Sequence, residues 1–292
     1  MSSVRSPSAS LGSVETRSAV GLFGCRICAI EGQRSAKAGD IGWSNRLNIP
    51  MTRIALISDI HANEVALRAV LGEIRRTGVD QVICLGDVAT LGPRPNGVIE
   101  ILGELGCPCI MGNHDEFLLD AELVQTYSAS PRVVDSIDWS RSRLSGVELD
   151  FLRGFERCRE IAMGKLTVQL FHGSPRSHME DILSSTPPEA LDEMLAGTTA
   201  MVLAGGHTHI QMLRQHHGNL LVNPGSVGLP FKDYVGGQSP TLLSHAEYAT
   251  IEDLDGVIGV SLRRVPLDKH ELRRAQSETE HPLGPWLLEQ YA

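Results

Sequence analysis

Aromatic residues are scarce in this chain, at 4% of 292 positions, which argues against broad stacking platforms for bases or sugars. Positive charge is also short: 26 Lys and Arg stand against 35 Asp and Glu, a formal net charge of -9. A general nucleic-acid binder or a membrane-surface protein needs a basic face, so this balance disfavours both. A small anionic substrate held locally by metal ions remains compatible with it. No apolar run is long enough to span a bilayer, and no transmembrane segment is expected. Cysteine is limited to Cys25, Cys28, Cys84, Cys107, Cys109 and Cys158, several of them in apolar settings such as Ile83-Cys84-Leu85. That usage fits reduced core thiols in a cytoplasmic protein. Cys25-Arg-Ile-Cys28 has zinc-knuckle spacing but no second pair nearby, so no zinc ribbon is expected.

Residues 1–50 lack helical or strand periodicity and are rich in Ser, Gly, Ala and Arg. They carry six Lys/Arg against three Asp/Glu, which leaves -12 on residues 51–292. The apolar stretch from Ala19 to Ile30 is broken by Arg26 and has no clear cleavage site, so it makes a poor signal peptide. Leu22–Cys25 has too short a hydrophobic lead-in for a lipoprotein box. The segment is expected to be a disordered extension, translated upstream of a true start at Met51, where the fold begins.

From there the pattern turns regular. Ile54–Ile57 is the continuous apolar run of a strand buried on both faces, and it ends at Ser58-Asp59-Ile60-His61. Leu67, Val70, Leu71 and Ile74 then fall on one helical stripe that closes at Gly78. Val82–Leu85 runs into Gly86-Asp87, followed by a second stripe of Val98, Ile101, Leu102 and Leu105 ending at Gly106. A third strand, Cys109–Met111, delivers Gly112-Asn113-His114-Asp115. Three βα units in phase thus place carboxylates, amide and imidazole at one edge of a parallel sheet, where open α/β folds bind ligands.

Residues 116–157 are helical and loop-like, with Val147, Leu149, Phe151 and Leu152 expected to pack; a structural cap is favoured over a substrate-pocket role. Lys165–Phe171 alternates as a strand ending at His172, and Pro187–Ala196 is expected to be helical. Ala200–Ala204 is a short strand entering Gly205-Gly206-His207-Thr208-His209, and Asn223–Gly228 is a tight loop. Ala246–Ile251 and Val257–Val265 read as antiparallel strands joined at Asp255-Gly256. Residues 268–292 are expected to form a polar helix or tail after a domain spanning 51–267.

The polar residues at strand ends are Asp59, His61, Asp87, Asn113, His114, His172, His207 and His209. Hard oxygen donors mixed with imidazoles suit Mn²⁺, Fe²⁺, Zn²⁺ or Ni²⁺ better than an all-oxygen cage for Mg²⁺ or Ca²⁺. About seven ligands suffice for two metals sharing a carboxylate.

These motifs resemble the calcineurin-like metallophosphoesterases: D-x-H, G-D, G-N-H-[DE], H and G-H-x-H are matched in order by Asp59/His61, Gly86-Asp87, Gly112–Asp115, His172 and Gly206–His209. His172-Gly-Ser-Pro-Arg176 and Asn223–Gly228 are similar to the small bacterial and archaeal phosphodiesterases of YfcE type. Val88-Ala-Thr-Leu91 departs from the more polar or aromatic turn common in relatives, which puts any inherited substrate preference in doubt. The resemblance implies a four-layer α/β/β/α sandwich of two facing mixed sheets flanked by helices. It implies that Asp59, His61, Asp87 and His209 hold one divalent metal, and that Asp87, Asn113, His172 and His207 hold the other. Mn²⁺ is the favoured metal, with Fe²⁺, Ni²⁺ or Zn²⁺ as alternatives. His114 would face the scissile phosphate as general acid while a metal-activated hydroxide attacks a small phosphodiester.

Arg94 and Arg176 are candidates for gripping phosphate oxygens, while His178, His216 and His217 receive no role. The competing functions are a phosphomonoesterase, phosphoprotein or dinucleoside-polyphosphate phosphatase on the same metals, or a retromer-like interaction scaffold. Intact ligand positions weigh against the scaffold, and the short acidic chain weighs against a repair nuclease. A homo-oligomer is compatible with the sequence.

Overall fold

The computed structural model describes residues 52–128 and 130–292, so the extension at 1–50 and the Cys25–Cys28 pair lie outside the described residues. The chain runs β1 (Arg53–Ile57), α1 (Glu64–Thr77), β2 (Gln81–Cys84) and α2 (Pro95–Leu105). Four helices follow: α3 (Asn113–Leu119), α4 (Val124–Tyr127), α5 (Pro131–Arg143) and α6 (Gly146–Arg153). Next come β3 (Arg159–Met163), β4 (Leu166–Leu170), α7 (Pro188–Met194), β5 (Val202–Ala204), β6 (Met212–His216) and β7 (Asn219–Asn223). The chain closes with β8 (His245–Leu254), β9 (Val257–Pro266), α8 (Lys269–Ser277) and α9 (Gly284–Gln290).

Two mixed sheets result, ordered β2-β1-β8-β9 and β3-β4-β5-β7-β6. After Arg53, β1 is apolar because it is central, parallel to β2 on one side and antiparallel to β8 on the other. The pleat then sorts its residues by face. Ile54 and Leu56 meet Val168, Leu170, Val202 and Val222 between the sheets. Ala55 and Ile57 turn outward against Leu67, Val70 and Ile74 of α1. On the far side Leu203 and Leu221 pack under Leu191 of α7. This is the four-layer α/β/β/α arrangement. Asn63 caps α1 by accepting from the Ala66 amide, and each fully buried leucine or isoleucine of its stripe contributes ~1.5–3 kcal/mol as an upper estimate.

Several local expectations shift. The third strand is reduced to single bridges, Cys84 to Cys109 and Ile110 to Glu156, because Pro108 has no amide to extend the ladder. Val147 does not pack: it is 79% exposed on α6, whereas Leu152 on the other side of the helix is fully buried. β3 and the β6–β7 hairpin carry no clear apolar alternation and were not expected. The C-terminal residues form α8 and α9, and Leu272, Leu287 and the following Tyr291 cover Leu229 and Leu242. No helix among the described residues is long and apolar enough to cross a membrane.

Candidate metal centre

Where the central strands end, the backbone turns sharply. Asp59 (φ 53°), His61 (φ 47°), Asp87 (φ 57°), His207 (φ 69°) and His209 (φ 57°) all adopt left-handed conformations. Non-glycine residues rarely do so, and such strain concentrates where surrounding structure imposes it for function. Here the Asp59 amide donates to Gly86 O at 2.9 Å and the His61 amide to Asp87 O at 3.0 Å, locking the first loop to the second. Close approach then demands glycine beside the ligands. A Cβ on Gly112 would lie 2.1 Å from Asp87 Oδ1, and one on Gly206 would lie 1.9 Å from Ser58 Oγ.

The result is two groups of buried donors. Asp59, His61, Asp87 and His209 present ligand atoms within 4.8 Å of one another, and so do Asp87, His172 and His207. Asp87 belongs to both. His209 Nε2 stands 3.3 Å from Asp59 Oδ1, and His172 Nε2 stands 3.4 Å from Asp87 Oδ2. Asn113, fully buried, opens the helix that follows Gly112.

Hydrogen bonds select the inward nitrogen of each ring. His172 donates from Nδ1 to Leu85 O at 2.7 Å, and His209 from Nδ1 to Leu229 O at 2.7 Å, leaving both Nε2 atoms for the cluster. His207 is reversed: its Nε2 meets Asp181 Oδ1 at 3.4 Å, so Nδ1 is the nitrogen left for a metal. Imidazoles oriented by carbonyls or carboxylates in this way are the usual partners of a bound cation.

The residues fit a pair of cations. Asp59 Oδ1, Asn113 Oδ1 and His172 Nε2 are buried without a hydrogen-bond partner, a costly state unless an ion completes them. His61 Nε2 and His209 Nε2 converge to 3.0 Å, a separation that suits two lone pairs on one ion. The electrostatics demand positive charge. Burial opposes charge on His172, yet Asp87 and Asp59 push it up to about 10. Burial alone would raise the Asp59 carboxyl, but His209 and His172 hold it at about 2. Burial and the charge of His172 hold His207 down to about 4, so it is neutral and able to ligate.

Three groups that sequence reasoning left without a role support this centre. Asp115 accepts from the amides of Asp87, Val88 and Gly112, tying the second motif to the third, and burial beside Asp87 pushes its carboxyl up to about 7. Asn223 donates to Gly206 O at 2.7 Å, and Ser226 Oγ to Asp59 O at 2.7 Å, so the Asn223–Gly228 loop braces two ligand loops. Tyr127 of α4 packs edge-on against His114 with ring centroids 5.6 Å apart, which brings the region favoured as a structural cap to the mouth of the site. A tyrosine isolated in sequence gave no signal of this.

His114 is buried at the same edge but outside both donor groups. The two arginines are engaged elsewhere: Arg94 pairs with Glu64 and Glu278, and Arg176 with Glu180.

The family model described as the calcineurin-like phosphoesterase superfamily domain matches residues 52–243. An uncharacterised protein of Methanocaldococcus jannaschii is 31% identical over 192 residues, 61% of this chain and 76% of its own length. A metallophosphoesterase from Sphaerobacter thermophilus superposes with a TM-score of 0.63 at 25% identity, covering 82% of this chain and 98% of its own. A hypothetical protein of Pyrococcus horikoshii OT3 shares the fold with a TM-score of 0.69 at 19% identity, covering 82% and 97%.

Proposed function

This chain belongs to the calcineurin-like phosphoesterase superfamily, and on that footing we propose that it is a dinuclear metal-dependent phosphodiesterase acting on a small organic phosphodiester in the cytoplasm. The observation that carries the metal assignment is the set of buried, unpartnered donor atoms converging from separate loops onto the shared Asp87. In this reading Asp59, His61, Asp87 and His209 hold one ion, and Asp87, Asn113, His172 and His207 the other, with Mn²⁺ favoured over Fe²⁺, Ni²⁺ or Zn²⁺. When bound, such a pair supplies a hydroxide nucleophile near neutral pH and neutralises charge on the phosphoryl oxygens.

The chain's own residues do the rest. The left-handed loops fix the donors before substrate arrives, so no reorganisation is needed at the moment of reaction. His114 binds Thr90 through Nδ1 and keeps Nε2 free for the ester oxygen. Burial holds His114 below its ordinary value against the pull of Asp87, so an anionic phosphoester beside it is the counter-charge that favours a protonated ring. A proton delivered from Nε2 to the departing alkoxide is what a diester with a poor leaving group requires. The YfcE-type motifs at 172–176 and 223–228 support the diester over the monoester.

The test is hydrolysis of an alkyl or aryl diester against the monoester with the same leaving group, across Mn²⁺, Ni²⁺ and Zn²⁺. The proposal expects higher kcat/KM on the diester. Higher efficiency on the monoester with every metal would make the protein a phosphatase instead.

A further inference from the structure

A second group of metal-type donors lies away from the phosphoesterase centre, and three side chains from two elements form it. Asp192 projects from α7, while His216 ends β6 and His217 opens the turn into β7. His216 Nε2 stands 2.8 Å from Asp192 Oδ1, and His217 Nε2 stands 2.9 Å from the same oxygen.

Adjacent residues of a strand point to opposite faces, so neighbouring histidines should not meet on one carboxylate. They meet because His217 (φ 49°) and Gly218 (φ 88°) are both left-handed, the geometry of a two-residue hairpin turn in which Asn or Asp is the usual first residue. Histidine in that place turns its ring back beside His216, with centroids 4.2 Å apart. The frame is already rigid. Arg214, two residues before His216, donates to the carbonyls of Leu183, Ser184 and Thr186, which fixes β6 against the chain leading into α7.

We propose that Asp192, His216 and His217 form a zinc site that clamps α7 to the β6–β7 hairpin. Two imidazoles and one carboxylate suit Zn²⁺, with water in the fourth position of a tetrahedron. Zn–N and Zn–O bonds imply ligand separations of roughly 3.3 Å, so the present separations need open by only about half an ångström. His216 is the inner ligand, its side chain 10% exposed, whereas His217 is 71% exposed and gives the ion access from solvent. β7 leads directly into the Asn223 loop, so the clamp steadies the far end of a hairpin whose near end braces the catalytic loops.

The experiment is zinc counting on the full-length chain after equilibrium dialysis against buffered micromolar Zn²⁺, with thermal unfolding in the presence and absence of the ion. His217→Asn keeps a residue suited to the left-handed turn but removes the imidazole, and Asp192→Asn tests the other element independently. Each variant should hold one zinc fewer than wild type and show a smaller zinc-induced rise in Tm, while its metal-free Tm stays at the wild-type value. Phosphoesterase turnover with saturating Mn²⁺ should be unchanged. Equal zinc counts in the three proteins would overturn the proposal and leave the histidines as hydrogen-bond donors to Asp192.

Discussion

The Thr90 hydroxyl lies 3.1 Å from Nδ1 of His114. The same oxygen is 3.3 Å from Nδ1 of His61, so one hydroxyl serves two buried rings. His61 turns Nε2 to the cluster, which places its proton on Nδ1 and makes it the donor to Thr90. In the neutral ring the hydroxyl proton goes to His114 Nδ1 and the ring's own proton sits on Nε2; once a bound phosphoester protonates His114, the hydroxyl oxygen accepts from Nδ1 while Nε2–H faces the substrate. Thr90→Val preserves shape but strands both nitrogens. At saturating metal, kcat should fall roughly 10–100-fold, the usual effect of losing a group that orients a ligand or catalytic ring. Wild-type turnover in Thr90→Val would remove the hydroxyl from this relay.

His114→Ala separates chemistry from metal binding. Metal stoichiometry and Tm should stay near wild type, and kcat should fall by about 10²–10⁴-fold on substrates with alkyl leaving groups. The loss should shrink for a nitrophenolate, which departs without protonation. Equal losses on both would recast His114 as an electrostatic clamp, and a variant lacking one ion would place it among the ligands.

Asn223 tests the brace behind the site. Its amide satisfies Gly206 O and approaches Thr208 Oγ1 at 3.1 Å, both buried. Asn223→Ala leaves that carbonyl with the Thr208 amide, 2.8 Å away, as its remaining donor, and the lost hydrogen bond should cost about 0.5–1.5 kcal/mol in denaturant unfolding. Metal affinity should weaken as well, since His207 and His209 flank Thr208. Unchanged stability and metal affinity would mean the loop holds its shape without the amide.

His281 supplies a pH dependence remote from the metals. It is 3% exposed, bonded through Nε2 to Ser136 Oγ at 2.8 Å, and burial pushes its pKa down from 6.5 to about 4. Between those values the unfolded chain binds the proton and the folded chain does not. The stability present above pH 6.5 is therefore lost as pH falls toward 4, by at most about 3 kcal/mol. Wild type should lose that much more than His281→Gln over this window. Parallel stability curves would show that His281 titrates normally in the fold.

What was legible in the sequence follows from how each feature is encoded. Ile54–Ile57 and the Leu67–Ile74 stripe announce themselves because burial on a strand or helix leaves a short-range period. The candidate metal motifs were legible because Asp59, Asp87, His207 and His209 follow closely on apolar runs that stop abruptly at polar residues or glycine. Asp115, Asn223 and Thr90 act through bonds to loops tens of residues away, and no local pattern records such partners. Tyr127 was hidden for the same reason: only tertiary packing of α4 brings it to His114. The β6–β7 hairpin escaped because its His217-Gly218 turn does not carry the usual Asn-Gly or Asp-Gly pair, and Val147 was misplaced because it lies opposite Leu152 on a half-exposed helix.

In the proposed dinuclear centre Asp87 joins the two ions. The most direct measurement is titration of chelator-stripped protein with Mn²⁺, following hydrolysis of a nitrophenyl diester, in wild type and in Asp87→Asn. Wild type should gain activity with the second equivalent bound, and Asp87→Asn should lose metal content and turnover together. Near-normal turnover in an Asp87→Asn protein that still holds two tightly bound ions would contradict the account.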